Sequence, residues 1–259
     1  MGLKDSTYRT LVKYYKQTKD INRLVTVAQK MLESKNSDPI IRGEICESVL
    51  VSMLEDYIEK NNLADKGWFI DKGLILKDMH NVDSEYLTEL DVTLFTPKQI
   101  YLFECKSYKG TKVAIEKCSL YIRTRANGKD KEKRMIDVYS QHIKHYKALL
   151  KCLAPFMINV NSKSKPFRLV CFDFSEGELI DERTDRDKRI FPILNETNLY
   201  SLFNGYNKKA VQWDITSVRK LVNRLDDCKE SLTRKHLSYV TSLHHDDGFK
   251  RKSNTTRHK

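Results

Sequence analysis

Apolar residues recur along the chain with two different periods, and the helical period covers the longer segments. Four segments carry apolar side chains at helical spacing, and we predict helices over 7 to about 33, 39–60, 135–155 and 216 to about 240. Asp38 and Pro39 supply an N-cap and a first helical residue for the second of these helices. Its apolar residues cover more than half of the helix circumference, which indicates that it is largely buried.

Shorter segments rich in β-branched and aromatic residues predict strands between the helices. The predicted strands are 67–77, 89–95, 99–105, 109–115, 166–174 and 190–194. Two polar, charged segments, 123–134 and 175–189, are predicted to be loops. A helix followed by three strands, a helix and a further strand (α-β-β-β-α-β) predicts an α/β fold in which helices flank a mixed central sheet.

The predicted elements divide the chain into a core with appendages. We predict an N-terminal helical extension over 1–38, a core over 39–205, a C-terminal helical segment over 206–243 and a basic, disordered tail over 244–259. The helices added at the two ends are candidate surfaces for a homo-oligomer or a protein partner. The N-terminal helix, with its tyrosines and leucines, is the first place to look for such an interface.

Composition and charge narrow the functional classes. The chain has 47 Lys and Arg against 35 Asp and Glu, and its net charge of +12 favours a polyanionic partner, nucleic acid first. No apolar run reaches the roughly 18 residues of a transmembrane helix, so no membrane partner is expected. The N-terminal residues lack the apolar stretch of a signal peptide. The six cysteines form no C-x-x-C pair, and we expect reduced thiols in a cytoplasmic protein.

Three charged residues interrupt the two most apolar predicted strands. Asp91 lies in one strand, and Glu104 and Lys106 lie at the end of the next. Closing the hairpin at Pro97 places Asp91 opposite Glu104, with Lys106 on the same face. Opposed carboxylates repel each other unless a cation lies between them, and Mg²⁺ held by carboxylates suits phosphate chemistry. The alternative is a cross-strand salt bridge on a solvated face, but the apolar neighbours favour the metal site.

These residues resemble the signature of the PD-(D/E)XK nuclease superfamily, which has an Asp on one strand and E-x-K on the next. The closer resemblance, over residues 40–205, is to the nuclease-related domain (NERD) family. The matching segments are Gly43-Glu44, ECKSYKG at 104–110, and QHIKHYKALL at 141–150, which contains Gln141 and His145. The chain departs from the family pattern because no Pro stands shortly before Gln141.

The resemblance implies a restriction-endonuclease-like core and a Mg²⁺-dependent phosphodiesterase, with Mn²⁺ as an alternative ion. Glu44, Asp91 and Glu104 would bind the metal. Lys106 would be the catalytic lysine, and Gln141 would be an auxiliary active-site residue. We therefore expect an endonuclease in which a metal-activated water attacks phosphorus. DNA is the favoured substrate over RNA, because most proteins of this fold cut DNA.

Two positions on the predicted helices have competitors. Periodicity alone lets either Glu44 or Glu47 face the sheet, and the Gly-Glu match favours Glu44. On the later helix, Gln141 and His145 share a face, whereas His142 is expected to point elsewhere. An imidazole is the less favoured ligand there, because Mg²⁺ prefers oxygen.

Basic and aromatic residues beyond the E-x-K strand are candidates for binding nucleic acid. These candidates are Tyr108, Lys109 and Lys112 after the strand, and Arg123 and Arg125 in the predicted loop. The alternative function is a catalytically silent nucleic-acid-binding module, or a partner-docking subunit, that keeps the nuclease fold.

Overall fold

The structure of the protein is a computed structural model that describes residues 4–34, 38–77, 87–126, 129–159 and 165–227. Its helices are α1 (Lys4–Thr18), α2 (Ile21–Glu33), α3 (Pro39–Lys60), α4 (Val138–Leu153), α5 (Asp185–Ile190) and α6 (Ile215–Asp227). Its strands are β1 (Phe69–Lys77), β2 (Leu87–Phe95), β3 (Ile100–Lys106), β4 (Thr111–Ile115), β5 (Ser119–Ala126), β6 (Lys129–Asp137), β7 (Phe167–Asp173), β8 (Leu179–Asp181) and β9 (Ile193–Leu194). The predicted end of the last helix and the predicted tail lie outside the described residues. No helix within these ranges has both the length and the apolar character needed to cross a membrane.

Five strands form the central sheet in the order β1-β2-β3-β7-β9. The first three pair antiparallel, whereas β7 runs parallel to β3 and β9 runs parallel to β7. A second mixed sheet has the order β6-β5-β4-β8. The prediction of a mixed α/β fold is confirmed. The predicted strand 109–115 is β4, and β5 and β6 are two further strands between β4 and α4.

Helices cover both faces of the central sheet. On one face α3 packs on Val92 and Phe103, and α1 and α2 join the same core through Leu11 and Leu24. On the other face α4 and α6 pack around Leu102. Leu11, Leu24 and Leu32 of the N-terminal segment, which the sequence offered as a partner surface, are therefore buried against the rest of the chain.

The hairpin of β2 and β3 has the predicted register. Val92 lies opposite Phe103, and Leu94 lies opposite Tyr101. The pairing stops at Val92, one position before Asp91 would meet its partner on β3.

Side-chain alternation breaks where β1 and β2 pass Gly73 and Asp91. On β2, Val92 packs on the α3 side, whereas Leu90, two residues earlier, packs on the side of α4 and α6. The register places Gly73 opposite Asp91. Gly73 has φ +68°, a left-handed conformation that glycine adopts without strain. The irregularity therefore sets Asp91 apart from the regular pleat.

Three predicted elements differ from the structure. The segment 7–33 forms two helices, because Lys19 adopts φ +51° and Asp20 caps α2 with its side chain. The segment 123–134, predicted to be a loop, belongs to the hairpin of β5 and β6. Backbone groups make that pairing, so the charged side chains concealed it. The segment 175–189 contains β8 and α5.

Candidate active site

The carboxyl end of β3 places Glu104 and Lys106 on the face that α4 covers. Glu104 is only 1% exposed, and its Oε1 lies 2.7 Å from Nζ of Lys106. The same Nζ donates a hydrogen bond to Oε1 of Gln141 in the first turn of α4, at 3.2 Å. This turn is fixed by Asp137, whose side chain accepts from the backbone N–H of Ser140. The structure therefore brings the lysine and glutamate of E-x-K together with the predicted helix glutamine.

Asp91 approaches β3 from the neighbouring strand. Its Oδ2 accepts a hydrogen bond from the backbone N–H of Cys105 at 2.8 Å. This bond lies just where the backbone pairing of β2 with β3 stops. A side chain thus continues the contact between the strands, and it holds the Asp91 carboxylate within electrostatic reach of Glu104 and Lys106.

The two carboxylates ionise differently. Burial raises the pKa of Asp91 well above its usual range, and the charges of Glu104 and Glu47 raise it further. Burial also opposes the ionisation of Glu104, but His145 and Lys106 outweigh it and lower the pKa of Glu104 to about 2. Burial would lower the pKa of Lys106, but Glu104 beside it raises that pKa above its ordinary value. The site therefore holds one stable carboxylate, one stable ammonium and a second carboxylate that resists its charge.

Two histidines of α4 lie behind Glu104. Nδ1 of His145 is 3.2 Å from Oε2 of Glu104, and Nδ1 of His142 is 3.8 Å from the same oxygen. Burial lowers the pKa of His142 to about 4. The expectation that His142 points elsewhere is wrong. The i, i+3 spacing to His145 was the sequence signal that the two rings are neighbours on the helix surface.

Both candidate glutamates of α3 lie beside the central sheet. Glu47 forms an ion pair with Lys72 of β1 at 2.8 Å, and its charge is one of those that raise the pKa of Asp91. Glu44 is buried, and its charge acts on Lys72. Glu47 is thus the α3 carboxylate whose charge reaches Asp91.

The predicted nucleic-acid-binding residues occupy different environments. Tyr108 is half-buried and lies close enough to Lys106 for its phenol to act on the lysine charge. Lys109 is exposed, with Nζ 4.0 Å from a carboxylate oxygen of Glu176. Arg123 is half-buried on β5. The side chain of Arg125 lies outside the described part of the structure.

Lys112 does not occupy the position expected of a phosphate-binding residue. Its side chain is 1% exposed, and its Nζ forms an ion pair with Oδ2 of Asp173 at 3.0 Å. Asp173 also accepts a hydrogen bond from the hydroxyl of Ser175. The ammonium is buried and already paired, so Lys112 supports the second sheet against β7 instead of facing a nucleic-acid backbone.

The surroundings of Glu104 fit a bound cation. Oε2 of Glu104 and Nδ1 of His142 are buried and have no hydrogen-bond partner among the described residues. Ligand atoms of Glu104, His142 and His145 all lie within 4.8 Å of one another. Buried acceptors without donors are costly, and a cation satisfies them. This cluster of one carboxylate and two imidazoles can therefore bind a metal ion.

Comparison with known proteins identifies a family. No curated protein and no solved structure gives a significant match to the chain. The model of the nuclease-related domain (NERD) matches residues 42–172, a span that contains Asp91, Glu104, Lys106 and Gln141. This span covers just over half of the chain. The protein therefore belongs to the nuclease-related domain family.

Proposed function

We propose that the protein is a metal-dependent endonuclease that hydrolyses phosphodiester bonds of DNA. The observation that carries the proposal is the contact of Lys106 with Glu104 and Gln141, next to Asp91. Fixed charges and metal-binding carboxylates at one point stabilise the negative charge that develops around phosphorus during transfer. Membership of the nuclease-related family supports this function, and DNA is favoured by analogy with the fold.

Mg²⁺ is the proposed cofactor, with Mn²⁺ as the alternative. Asp91, Glu104 and one glutamate of α3 would hold it. When bound, the ion supplies a water of lowered pKa and neutralises charge on the phosphate. Asp91 fits a ligand because burial and its acidic neighbours disfavour its charge in the absence of a cation. Glu47 is better supported than Glu44 as the third carboxylate, because its charge reaches Asp91.

Lys106 acts in this proposal as a fixed positive charge. Glu104 keeps its ammonium protonated, so the lysine donates hydrogen bonds instead of removing a proton from water. It is placed to orient the attacking water and to stabilise the developing charge on the phosphate oxygens. The side-chain oxygen of Gln141 accepts a hydrogen bond from the Lys106 ammonium. This bond limits the directions in which the other N–H groups of the ammonium point.

A cleavage assay with matched variants tests the proposal. Wild type, Asp91→Asn and Lys106→Met are incubated with supercoiled, linear and single-stranded DNA and with RNA, in Mg²⁺, Mn²⁺ or EDTA. We expect metal-dependent nicking of supercoiled DNA by the wild type and a loss of about 10²–10³-fold in each variant. Lys144→Met is the matched control, because it removes an exposed lysine of α4. This variant should cut DNA as well as the wild type does.

The outcomes of this assay separate the candidate functions. A folded wild type that binds DNA and cuts nothing in any metal would favour the catalytically silent binding module. Loss of cutting in Lys144→Met as large as in Lys106→Met would indicate a general charge effect. Comparing Glu44→Gln with Glu47→Gln in the same assay tests which α3 glutamate the metal needs, and we expect the larger loss for Glu47→Gln.

A further inference from the structure

Two electron-pair donors face each other in the buried space between β3 and α4. Oε2 of Glu104 and Nδ1 of His142 lie 3.8 Å apart, and neither has a hydrogen-bond partner among the described residues. Nε2 of His142 lies 2.9 Å from the carbonyl oxygen of Leu102. The backbone N–H of Val170 also approaches Nε2, at a longer distance of 3.4 Å. The shorter contact is to a carbonyl oxygen, which only accepts, so it assigns the ring proton to Nε2 and leaves a lone pair on Nδ1 of the neutral imidazole. That lone pair and the carboxylate oxygen repel each other unless a cation lies between them.

His145 completes a set of three ligand atoms. Its Nδ1 lies 3.2 Å from Oε2 of Glu104. Ligand atoms at the usual nitrogen and oxygen distances from a tetrahedral ion are about 3.4 Å apart. The separations of 3.2 and 3.8 Å from Oε2 are close to this value, and the three ligand atoms all lie within 4.8 Å of one another. Lys106 occupies the other oxygen, Oε1, at 2.7 Å, so Oε2 remains available to the histidine side.

We propose that Glu104, His142 and His145 form a site for a first-row transition-metal dication such as Mn²⁺, Co²⁺ or Zn²⁺. Two imidazoles and one carboxylate suit these ions, whereas Mg²⁺ prefers oxygen ligands and retains water. The inference deepens the proposed nuclease function and rests on it, because Glu104 serves both sites. Through its two oxygens Glu104 connects this ion to Lys106, so the ion fixes the carboxylate that orients the catalytic lysine.

Direct metal binding tests the site without relying on catalysis. The full chain is used with His244→Gln and His245→Gln, because this adjacent pair in the tail could bind metal by itself. Co²⁺ is titrated while its visible absorption reports nitrogen ligation, and Zn²⁺ and Mg²⁺ binding are measured by calorimetry. We expect one Co²⁺ per chain, displaced by Zn²⁺ and not by Mg²⁺. In this background, His142→Gln and His145→Gln should each weaken binding by at least about tenfold, and Lys144→Gln should not.

The results distinguish failure of this site from failure of the proposed function. If Co²⁺ binding depends on both histidines but the protein cuts no nucleic acid, the metal site is supported and the nuclease function is rejected. If the protein cuts in Mg²⁺ but binds Co²⁺ no more tightly than Mg²⁺, the metal site is rejected and the nuclease function is supported. If a histidine variant fails to fold, the site is tested instead by the NMR signals of the histidine ring ¹⁵N atoms in the parent chain. Zn²⁺ must then shift the signals of two histidines, and unshifted signals overturn the site.

A separate cleft, at the other end of β3, carries positive charge without a carboxylate. It encloses about 870 Å³, and its cations are Lys98, Lys165, Arg168 and Lys209. No Asp or Glu is among its described lining residues. At about 3.3 Å per strand residue, the cleft lies roughly 20 Å from Lys106. It is therefore distinct from the candidate active site.

Two of these cations are held close together in partly buried positions. Arg168 lies opposite Tyr101 in the pairing of β7 with β3, and Nζ of Lys209 lies 5.7 Å from the centre of the same ring. Burial lowers the pKa of Lys209, and the charge of Arg168 lowers it further. Neither cation has an ion-pair partner in the described part of the chain. Like charges held together in this way indicate a site for an anion.

We infer that this cleft binds the phosphate groups of a nucleotide, either free or at the end of a strand. The cations match the phosphates, and the amides of Asn204 and Gln212 line the same cleft and can bond to a base or sugar. The Gln99 amide is already engaged, because it accepts from Lys209 and donates to the carbonyl oxygen of Lys165. Its volume lies within the range of small-molecule sites. The inference does not depend on the nuclease function, because no residue is shared.

Calorimetry in EDTA tests the cleft, with tripolyphosphate, ATP, adenosine, and an oligonucleotide with or without a 5′-phosphate as probes. We expect tripolyphosphate to compete with ATP, and adenosine not to bind. Arg168→Gln and Lys209→Gln should each weaken binding by roughly tenfold, as loss of a charged hydrogen bond does, whereas the exposed Lys30→Gln should not. Preference for the 5′-phosphorylated oligonucleotide over ATP would identify a strand end as the source. No binding of any phosphate probe, or equal weakening by Lys30→Gln, overturns the inference.

Discussion

Asp91→Asn separates what this side chain does for the fold from what it does for a bound cation. Asp91 accepts a hydrogen bond from the backbone N–H of Cys105 at 2.8 Å. Asn keeps an oxygen that can accept this bond, but it removes the negative charge. Burial, Glu104 and Glu47 raise the pKa of Asp91, so the folded protein holds this proton more tightly than the unfolded chain. The stability that the proton contributes is present at low pH and is lost as the pH rises through the raised pKa. At neutral pH without metal, Asn should therefore be the more stable residue.

The magnitude follows from the contact of Asp91 with Cys105, the residue next to Glu104. Two charges about 5 Å apart repel by about 3 kcal/mol at an effective dielectric constant of 20. Lys106, which lies 2.7 Å from Glu104, offsets part of this repulsion. We expect Asp91→Asn to raise the free energy of unfolding by about 1–2 kcal/mol at pH 7 in EDTA, within the range of single stabilising substitutions.

Urea unfolding in EDTA and in excess Mg²⁺ measures both effects. Mg²⁺ at ten times its dissociation constant should stabilise the wild type by about 1.4 kcal/mol, and it should stabilise Asp91→Asn much less. Asp65→Asn, which removes an exposed carboxylate, should change neither value. The reasoning is refuted if Asp91→Asn is less stable than the wild type in EDTA, or if Mg²⁺ stabilises the two proteins equally.

Three further substitutions test the surroundings of the site. Lys112→Met should lower the free energy of unfolding in urea by about 3–5 kcal/mol, because it leaves Asp173 buried without its cation; adding Asp173→Asn should recover most of the loss, and no recovery would contradict the ion-pair account. Gly177→Ala should destabilise by at least about 2 kcal/mol in the same assay, because φ is +92° and a Cβ would lie 2.6 Å from a backbone oxygen; a wild-type midpoint would exclude this close approach. Glu104 should contribute stability above its unfolded pKa of about 4.3 that is lost as the pH falls toward about 2. His145→Ala should shift that loss to higher pH in acid unfolding, and an unchanged acid midpoint would contradict the role of the imidazole.

The hairpin that carries the site could be predicted because its information is local. Apolar alternation and the turn at Pro97 fix one register, and that register is found from Val92 to Leu94. The i, i+2 spacing of Glu104 and Lys106 then places both on one face. The approach of Gln141 was not local, and it was reached only through resemblance to a family.

Other features depended on contacts that a single sequence does not display. The burial of Lys112 follows from its pairing with Asp173, a residue 61 positions away on another sheet. The hairpin of β5 and β6 has a local signal, since Asn-Gly at 127–128 is typical of two-residue hairpin turns. Charged side chains on both sides masked this signal. The proximity of His142 to Glu104 depends on how α4 is rotated over the sheet, which helical periodicity constrains only within about one residue.

The break in alternation at Asp91 connects the fold to its chemistry. In a regular strand residue 91 would point away from Val92, toward α4 and α6, and its backbone would continue the pairing with β3. Instead Gly73 allows β1 to change face, and the carboxylate of Asp91 takes up the N–H of Cys105. An apolar residue at position 91 would leave that N–H without its acceptor, whereas Asn would preserve it. The sheet therefore tolerates the carboxylate because it already needs an oxygen at this point, and only the charge requires a cation.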